Sequence, residues 1–558
     1  MDERLLKQNW LDCPAMTEEL RNDLLHMNDE TLHDCFYRDL AFGTGGLRGV
    51  LGAGTNRMNF FTVAKATRGL GFYLLETFRS PSCAISFDSR IHSEDFAHLS
   101  AAVLASMGID VWLYSRLQPT PMLSFAVRHH QTSAGIMITA SHNPAKFNGY
   151  KVYGPDGCQI TIEAANRIQG FINDQPVLTD ALPSFDSFLS SGKISFIPEE
   201  TIEAYYAAIL QLSVHPVSAP LHLVYSPLNG TGNVPVREIM RRIGNISVEI
   251  VSEQELPDGH FPTCPYPNPE IREAMELAIR KTLETGADLC FATDPDCDRM
   301  GAGVRTGNQV QLISGNDMGI LMLDFLCRNR PENKTTALPP VVVKTIVTTE
   351  MASALCEKYG LELRNVLTGF KFIGEQIGLL ETEGQRNRFL FGFEESYGYL
   401  SGTDVRDKDA VNAALLLCEM ASDLKSRGQT LLDRLDELRA EFGFFGQKLL
   451  TFQYEGESGA KQMQGIMNML RCKAVDELVS PLDEPTSRTD YLNDNTGLPK
   501  SDVISLSIGK DLKWIIRPSG TEPKLKCYLF AHASTAAETE ALLETLNGIA
   551  NRFCAPRA

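Results

Sequence analysis

The sequence predicts an α/β protein: three mixed-sheet α/β units followed by a smaller C-terminal α+β domain. Three observations carry this. Short apolar runs alternate with stretches of helical periodicity, which implies parallel or mixed sheets covered by helices. That alternation restarts twice along the chain. Past about residue 440 the texture changes to short strands and a final helix. A chain of 558 residues also exceeds a single hydrophobic core, because domains commonly hold about 100–200 residues.

Residues from about 16 to 40 place acidic and apolar side chains at helical spacing, as in Glu18-Glu19-Leu20 and Leu24-Leu25. The stretch Phe42-Gly43-Thr44-Gly45-Gly46-Leu47-Arg48-Gly49 then breaks the helix with four glycines. A strand at Ala84–Phe87, a helix from Phe96 to Met107 and a strand at Val111–Tyr114 make the first βαβ pattern. Leu221–Tyr225 opens a second unit that reaches Leu289–Ala292, and Val341–Val347 opens a third after the proline-bearing stretch Pro331 to Pro340. The helix ending before Pro216 and the Asn329–Pro340 connector mark two boundaries. The expected domains are therefore 1–212, 213–328, 329–440 and 441–558, the last holding strands at Trp514–Ile516 and Leu525–Leu529 and a helix from Ala536 to about Phe553. No short-period repeat is visible, although three similar α/β units are what diverged copies would look like.

Composition narrows the function classes. A net charge of −18 argues against a nucleic-acid partner, since phosphate backbones repel such a surface. It leaves room for a small phosphorylated ligand, which feels the field of its own pocket. The start, Met1-Asp2-Glu3-Arg4, has no apolar signal core, and no run approaches the ~18 residues needed to span a bilayer. Thirteen cysteines without a C-x-x-C pair read as reduced, mostly buried thiols and not as a disulfide framework or zinc site. The expectation is a cytoplasmic protein with no membrane partner.

Four loops carry chemistry. Thr139-Ala140-Ser141-His142-Asn143-Pro144 follows the apolar run Ala134–Ile138, so Ser141 leaves a strand on a turn with its hydroxyl held out of the sheet. Alone, this string also fits an ordinary strand-to-loop transition. In Asp294-Pro295-Asp296-Cys297-Asp298-Arg299, three carboxylates at alternate positions converge on one hard cation, and oxygen ligands favour magnesium. A solvated acidic turn is the commoner fate of three nearby aspartates, while an EF-hand lacks its glycine and distal glutamate here. Arg299 adds an anion donor, and Cys297 reads as a spacer. In Gly392-Phe393-Glu394-Glu395-Ser396-Tyr397-Gly398, Glu394 and Ser396 point the same way on an extended segment and suit adjacent sugar hydroxyls. An acidic turn is the bland alternative. Arg517-Pro518-Ser519-Gly520-Thr521-Glu522-Pro523 combines a guanidinium, two hydroxyls and an exposed glycine amide into an anion nest, or else a polar hairpin loop. Thr368-Gly369-Phe370-Lys371 adds a glycine turn with a basic side chain. Neither a Rossmann nor a Walker pattern is present.

Taken in order, these loops and Phe42–Gly49 resemble the α-D-phosphohexomutase superfamily over nearly the whole chain. Glu394-Glu395-Ser396 looks like its glucose-type sugar loop, without the methionine of the phosphomannomutase pattern. Arg57-Met58-Asn59 and Val405-Arg406-Asp407-Lys408-Asp409 resemble the branch containing phosphoglucomutases and phosphopentomutases. Gly45 stands where alanine is common, and Tyr225–Gly230 replaces a His-Gly pattern; neither departure is expected to touch the chemistry.

The resemblance implies four domains around a central cleft. It implies that Ser141 carries a phosphoryl group and that Asp294, Asp296 and Asp298 hold magnesium together with an oxygen of that phosphate. Arg48, His142, Lys151 and Lys371 fall on cleft-lining motif positions. Arg299, Thr368, Gly369, Glu394, Ser396, Lys408, Arg517, Ser519, Gly520 and Thr521 would grip the substrate. Lys151 and Lys371 are candidate general bases, and equally candidate phosphate-binding cations. The implied reaction interconverts glucose 1-phosphate and glucose 6-phosphate, with glucose 1,6-bisphosphate as intermediate and activator. Ribose 1-phosphate or mannose phosphates are the alternative substrates, and the enzyme is expected to be a monomer or weak homodimer.

Overall fold

In the computed structural model, strand formation follows burial. It describes residues 3–43, 45–329, 338–454, 456–480, 482, 484–519 and 524–556. Part of the Asn329–Pro340 connector, Thr44, and Gly520 and Thr521 of the anion-nest motif lie outside the described residues. The chain forms two compact units, Met1–Val341 with Phe370–Gly428, and Val342–Gly369 with Gln429–Ala558.

The larger unit begins with three short helices. Thr17 and Asn28 cap the second and third by accepting from Leu20 and Thr31 main-chain N–H groups. These helices close over Trp10, which meets Phe36 and Phe61 edge-on at 5.6 and 5.4 Å. The first sheet contains β1 (Gly46–Val50), β2 (Ser82–Phe87), β3 (Asp110–Leu113), β4 (Ala134–Ile138), β5 (Phe147–Tyr153) and β6 (Ile194–Phe196), in the order β1-β5-β4-β2-β3-β6. β2 runs parallel to β3 and β4, whereas β5 is antiparallel to β1 and β4. Every residue of β4 is buried, which is why its sequence is an unbroken apolar run and not an alternating one.

A second mixed sheet contains β7 (Leu221–Ser226), β8 (Ile246–Ile250), β9 (Leu289–Thr293), β10 (Met300–Thr306) and β11 (Gln309–Ile313), in the order β11-β10-β9-β7-β8. β7 is parallel to β8 and β9, and β10 is antiparallel to β9 and β11. Helix Met351–Tyr359 connects β12 (Val341–Thr345) to β13 (Glu362–Val366), and all but Val341 of this segment belongs to the smaller unit. Back in the larger unit, β14 (Phe389–Glu394) and β15 (Gly398–Leu400) form an antiparallel hairpin.

The smaller unit ends in a fully antiparallel sheet of β16 (Phe444–Gln453), β17 (Thr486–Asp490), β18 (Ile504–Ile508), β19 (Leu512–Pro518) and β20 (Lys524–Ala533), ordered β16-β20-β19-β18-β17. Trp514, Leu529 and the helix Ala536–Cys554 share its core. β19 is longer than the sequence suggests and takes in Arg517, because pairing with β20 continues through Arg517↔Lys526 and Pro518↔Leu525. None of the thirteen cysteines is in a disulfide and eleven are buried, as expected of reduced thiols. No helix among the described residues is long and apolar enough to cross a membrane.

The Tyr225–Gly230 departure lies closer to the chemistry than its sequence suggests. After β7 the chain passes through left-handed Leu228 and Asn229 (φ 46° and 56°). Thr231 then donates both its N–H (2.8 Å) and its hydroxyl (3.0 Å) to the Pro295 carbonyl, inside the three-aspartate loop. A Cβ on Gly230 would lie 2.5 Å from Pro295 Cα, so only glycine allows this approach. Gly230→Ala is therefore expected to cost about 1–3 kcal/mol by overpacking against rigid backbone. Chemical denaturation checks this, and wild-type stability in the variant would contradict the contact.

Candidate active site

Ser141 leaves β4 in a left-handed conformation, φ 52°, which is uncommon for a residue with a side chain. Thr139 stabilises the turn by accepting the Ser141 N–H on its hydroxyl at 2.8 Å, while its own N–H donates to the Gly149 carbonyl on β5. The resulting geometry places the Ser141 hydroxyl as a donor to Asp294 Oδ2 at 2.8 Å, with His142 Nδ1 at 3.2 Å. Ser141 is only 4% exposed. Burial, reinforced by Arg299 and Arg48, pushes the His142 imidazole well below its usual range and keeps it neutral.

Asp294, Asp296 and Asp298 lie on the turn between β9 and β10, each at most 1% exposed. One oxygen from each falls within 4.8 Å of the others. Pro295 and left-handed Cys297 (φ 51°) shape this turn, so Cys297 does more than space two carboxylates. Asp294 Oδ1 accepts the N–H groups of Asp298 and Arg299 at 3.1 and 3.0 Å. Lys151 Nζ donates to Asp296 Oδ2 at 2.8 Å and lies 3.6 Å from Asp298, while Lys408 Nζ is 3.1 Å from Asp298. Burial raises the Asp294 carboxyl, and repulsion from Asp296 and Asp298 raises it further. At Asp296 burial opposes ionisation, but the Lys151 ammonium outweighs it and the carboxyl stays below its usual range.

Asp296 Oδ1 and Asp298 Oδ1 are buried without a hydrogen-bond donor. Unpaired carboxylate oxygens in a buried site are costly, and a hard divalent cation with oxygen ligands removes that cost. The residues present fit such a cation.

The sugar-loop candidates reach the same place. Arg299 donates to the Ser396 carbonyl at 2.9 Å and to Glu270 at 2.8 Å, and forms a bridge with Gly398. Its guanidinium thus ties the aspartate turn to the β14–β15 turn. Glu394 is buried at the end of β14, and its charge is felt by both Arg299 and Lys408. Burial and the neighbouring Glu394 push the Glu395 carboxyl up to about 7.

Ser141, His142, Lys151, the three aspartates, Arg299, Glu394, Ser396 and Lys408 are thus brought together within the larger unit. Arg48 lies in the same unit on β1, paired with Gly149 and exposed. Lys371 is there too, half-buried at the start of helix Lys371–Thr382, where burial lowers its ammonium. Thr368, Gly369, Arg517 and Ser519 belong to the smaller unit. There the Ser519 N–H donates to the Lys524 carbonyl and closes the hairpin beside Arg517.

Sequence reasoning missed Thr120, whose hydroxyl donates to Asp296 Oδ2 at 2.8 Å and whose N–H donates to the Asp296 carbonyl. It also missed Glu270, the partner of Arg299, and Asp407, which accepts from Lys408 at 3.0 Å and from the Tyr153 hydroxyl at 2.8 Å. Only Asp407 carried a signal, the unusual charge alternation of Arg406-Asp407-Lys408-Asp409.

Models of the phosphoglucomutase/phosphomannomutase alpha/beta/alpha domains I, II and III match residues 39–176, 203–307 and 314–442. A phosphoglucomutase from Staphylococcus haemolyticus is 37% identical over 506 residues, covering 88% of this chain and 90% of the relative. The open form of parafusin, a phosphoglucomutase from Paramecium, shares the fold with a TM-score of 0.69 at 16% identity, over 93% of this chain and 95% of that one. An Aspergillus fumigatus N-acetylphosphoglucosamine mutase, solved with GlcNAc-6P and magnesium, gives a TM-score of 0.53 at 16% identity over 93% and 97% of the two chains. The three α/β/α domains and the fourth sheet-bearing domain agree with these matches, and the chain belongs to the phosphoglucomutase/phosphomannomutase family of phosphohexomutases.

Proposed function

We propose that this chain interconverts glucose 1-phosphate and glucose 6-phosphate, with Ser141 as the phosphate carrier and glucose 1,6-bisphosphate as the intermediate. The observation that carries the reading is the Ser141 hydroxyl seated 2.8 Å from Asp294 within the cluster of three carboxylates. Four domains, with boundaries near 212, 328 and 440, and a cytoplasmic, monomeric or weakly dimeric enzyme complete it.

Phosphoryl transfer depends mostly on positioning and on neutralising the equatorial oxygens. Magnesium, held by Asp294, Asp296 and Asp298, supplies that neutralising charge when bound. Lys151 and Arg299 border the same position and add positive charge to it. A free hydroxyl of the sugar phosphate attacks the phosphorus on Ser141, and the bond from phosphorus to Ser141 Oγ breaks. The hydroxyl proton passes to a base, which we assign to Lys371 because burial lowers its ammonium. Lys151, whose Nζ donates to Asp296, is assigned as a phosphate-binding cation. The bisphosphate then turns over and returns its other phosphate to Ser141. Glu394, Ser396 and Lys408 hold sugar hydroxyls, and Thr368 and Gly369 are assigned to substrate binding. Arg517, Ser519, Gly520 and Thr521 take the distal phosphate, and a grip on phosphate alone accepts either end of the sugar.

Ser141→Ala removes the carrier, so turnover of glucose 1-phosphate should fall to background while the thermal melt stays near wild type. Near-normal turnover in that variant would sink the reading. A panel of glucose, mannose and ribose 1-phosphates, activated by glucose 1,6-bisphosphate, should give the highest kcat/KM with glucose. A ribose preference would move the enzyme to phosphopentomutase activity. The metal set is tested without catalysis by titrating Mn²⁺ against the protein and following its electron paramagnetic resonance. One site is expected in the wild type and none of comparable affinity in Asp298→Asn; equal binding by both would remove Asp298 from the ligand set.

A further inference from the structure

Behind the serine loop lies a buried arginine, and we propose that Arg90 is the positioning residue that holds Ser141 in its reactive geometry. The inference rests on Ser141 being the phosphate carrier. Arg90 sits on the turn between β2 and helix Ser93–Ser106, with its side chain wholly buried. Its guanidinium donates to the main-chain carbonyls of Ser141 and Asn143, and to those of Pro144 and Phe147 at 3.0 Å each. Those four carbonyls span the segment that leads from Ser141 into β5. A planar fork of five donors suits this task, and an ammonium with three donors on one atom does not.

The fork is itself fixed from two sides. Asp88, also fully buried, places Oδ2 3.3 Å from Arg90 Nε, while its Oδ1 accepts the Arg90 N–H at 2.9 Å and the Ser93 hydroxyl at 2.6 Å. The Phe261 ring, 1% exposed, lies 5.0 Å from the guanidinium carbon. Phe261 belongs to the segment between β8 and β9, so the sheet that supplies the aspartates also presses on the residue that sets the serine. A Cβ on nearby Gly259 would fall 2.5 Å from the Ile91 nitrogen, which shows how closely this segment approaches the Arg90 turn. Left-handed Ser141 would relax toward the common backbone regions if its carbonyl were released, and its hydroxyl would leave Asp294.

Arg90→Lys and Phe261→Leu test this beside the wild type. Each is assayed for kcat and KM with glucose 1-phosphate, for thermal melting, and for the ³¹P NMR signal of the phosphoserine. Arg90→Lys keeps the charge but loses the fork, so kcat should fall about 100-fold, the scale for a displacement of about 1 Å at a reacting group. KM should stay near the wild-type value and the phosphoserine resonance should shift. Phe261→Leu keeps the four carbonyl bonds and loses the stacked face; a smaller fall in kcat, about tenfold, is expected. It decides the matter if Arg90→Lys does not fold. Wild-type kcat per folded molecule with an unmoved resonance, in either folded variant, would overturn the positioning role and leave Arg90 a structural residue. A wild-type protein without turnover or phosphoserine would instead overturn the proposed function.

Discussion

Burying three carboxylates within 4.8 Å of one another is the constraint on which the rest of the site depends. Like charges at that separation in a dry environment demand compensation. Lys151, Lys408 and Arg299 supply it, one from each of three chain regions that are distant in sequence. Those cations are balanced in turn, Lys408 by Asp407 and Arg299 by Glu270. Compensation still stops short, because one oxygen on Asp296 and one on Asp298 have no donor. A structure that paired every charge would be a salt-bridge network; this one leaves two carboxylate oxygens without donors beside a serine hydroxyl, an arrangement that fits a cation.

The three turns that meet at this point share one backbone device. Each joins two antiparallel strands, and each contains a single left-handed residue that is not glycine: Ser141 (φ 52°), Cys297 (φ 51°) and Tyr397 (φ 63°). Such conformations cost of order 1–3 kcal/mol each and persist where surrounding contacts over-determine them. Thr139 and Arg90 do so at Ser141, and the Thr231–Pro295 bonds brace the turn that holds Cys297. The recurrence of one turn in successive α/β segments is what diverged copies of one unit would retain.

The fold was legible where burial writes itself into composition. β4 and β9 are buried at every position and therefore read as continuous apolar runs. The site was legible where its residues sit together in sequence, as in Asp294–Arg299. Partners that arrive from elsewhere left no local pattern. Thr120 looks like any threonine before a proline, yet it stands 176 positions from the Asp296 it serves. Arg90 follows a strand as many arginines do, and only the folded chain shows four carbonyls turned toward it. The left-handed turns were hidden as well, since serine, cysteine and tyrosine do not announce positive φ as glycine or asparagine would.

The central claim is that Ser141 relays phosphate between the two ends of one sugar. Dephosphorylated protein incubated with glucose 1,6-bisphosphate bearing ³²P on both phosphates, then digested and mapped, tests it most directly. The account predicts label on the peptide containing Ser141, removed again by unlabelled glucose 6-phosphate with the label recovered in bisphosphate. Turnover accompanied by label on another residue, or by no protein label at any time, would contradict it.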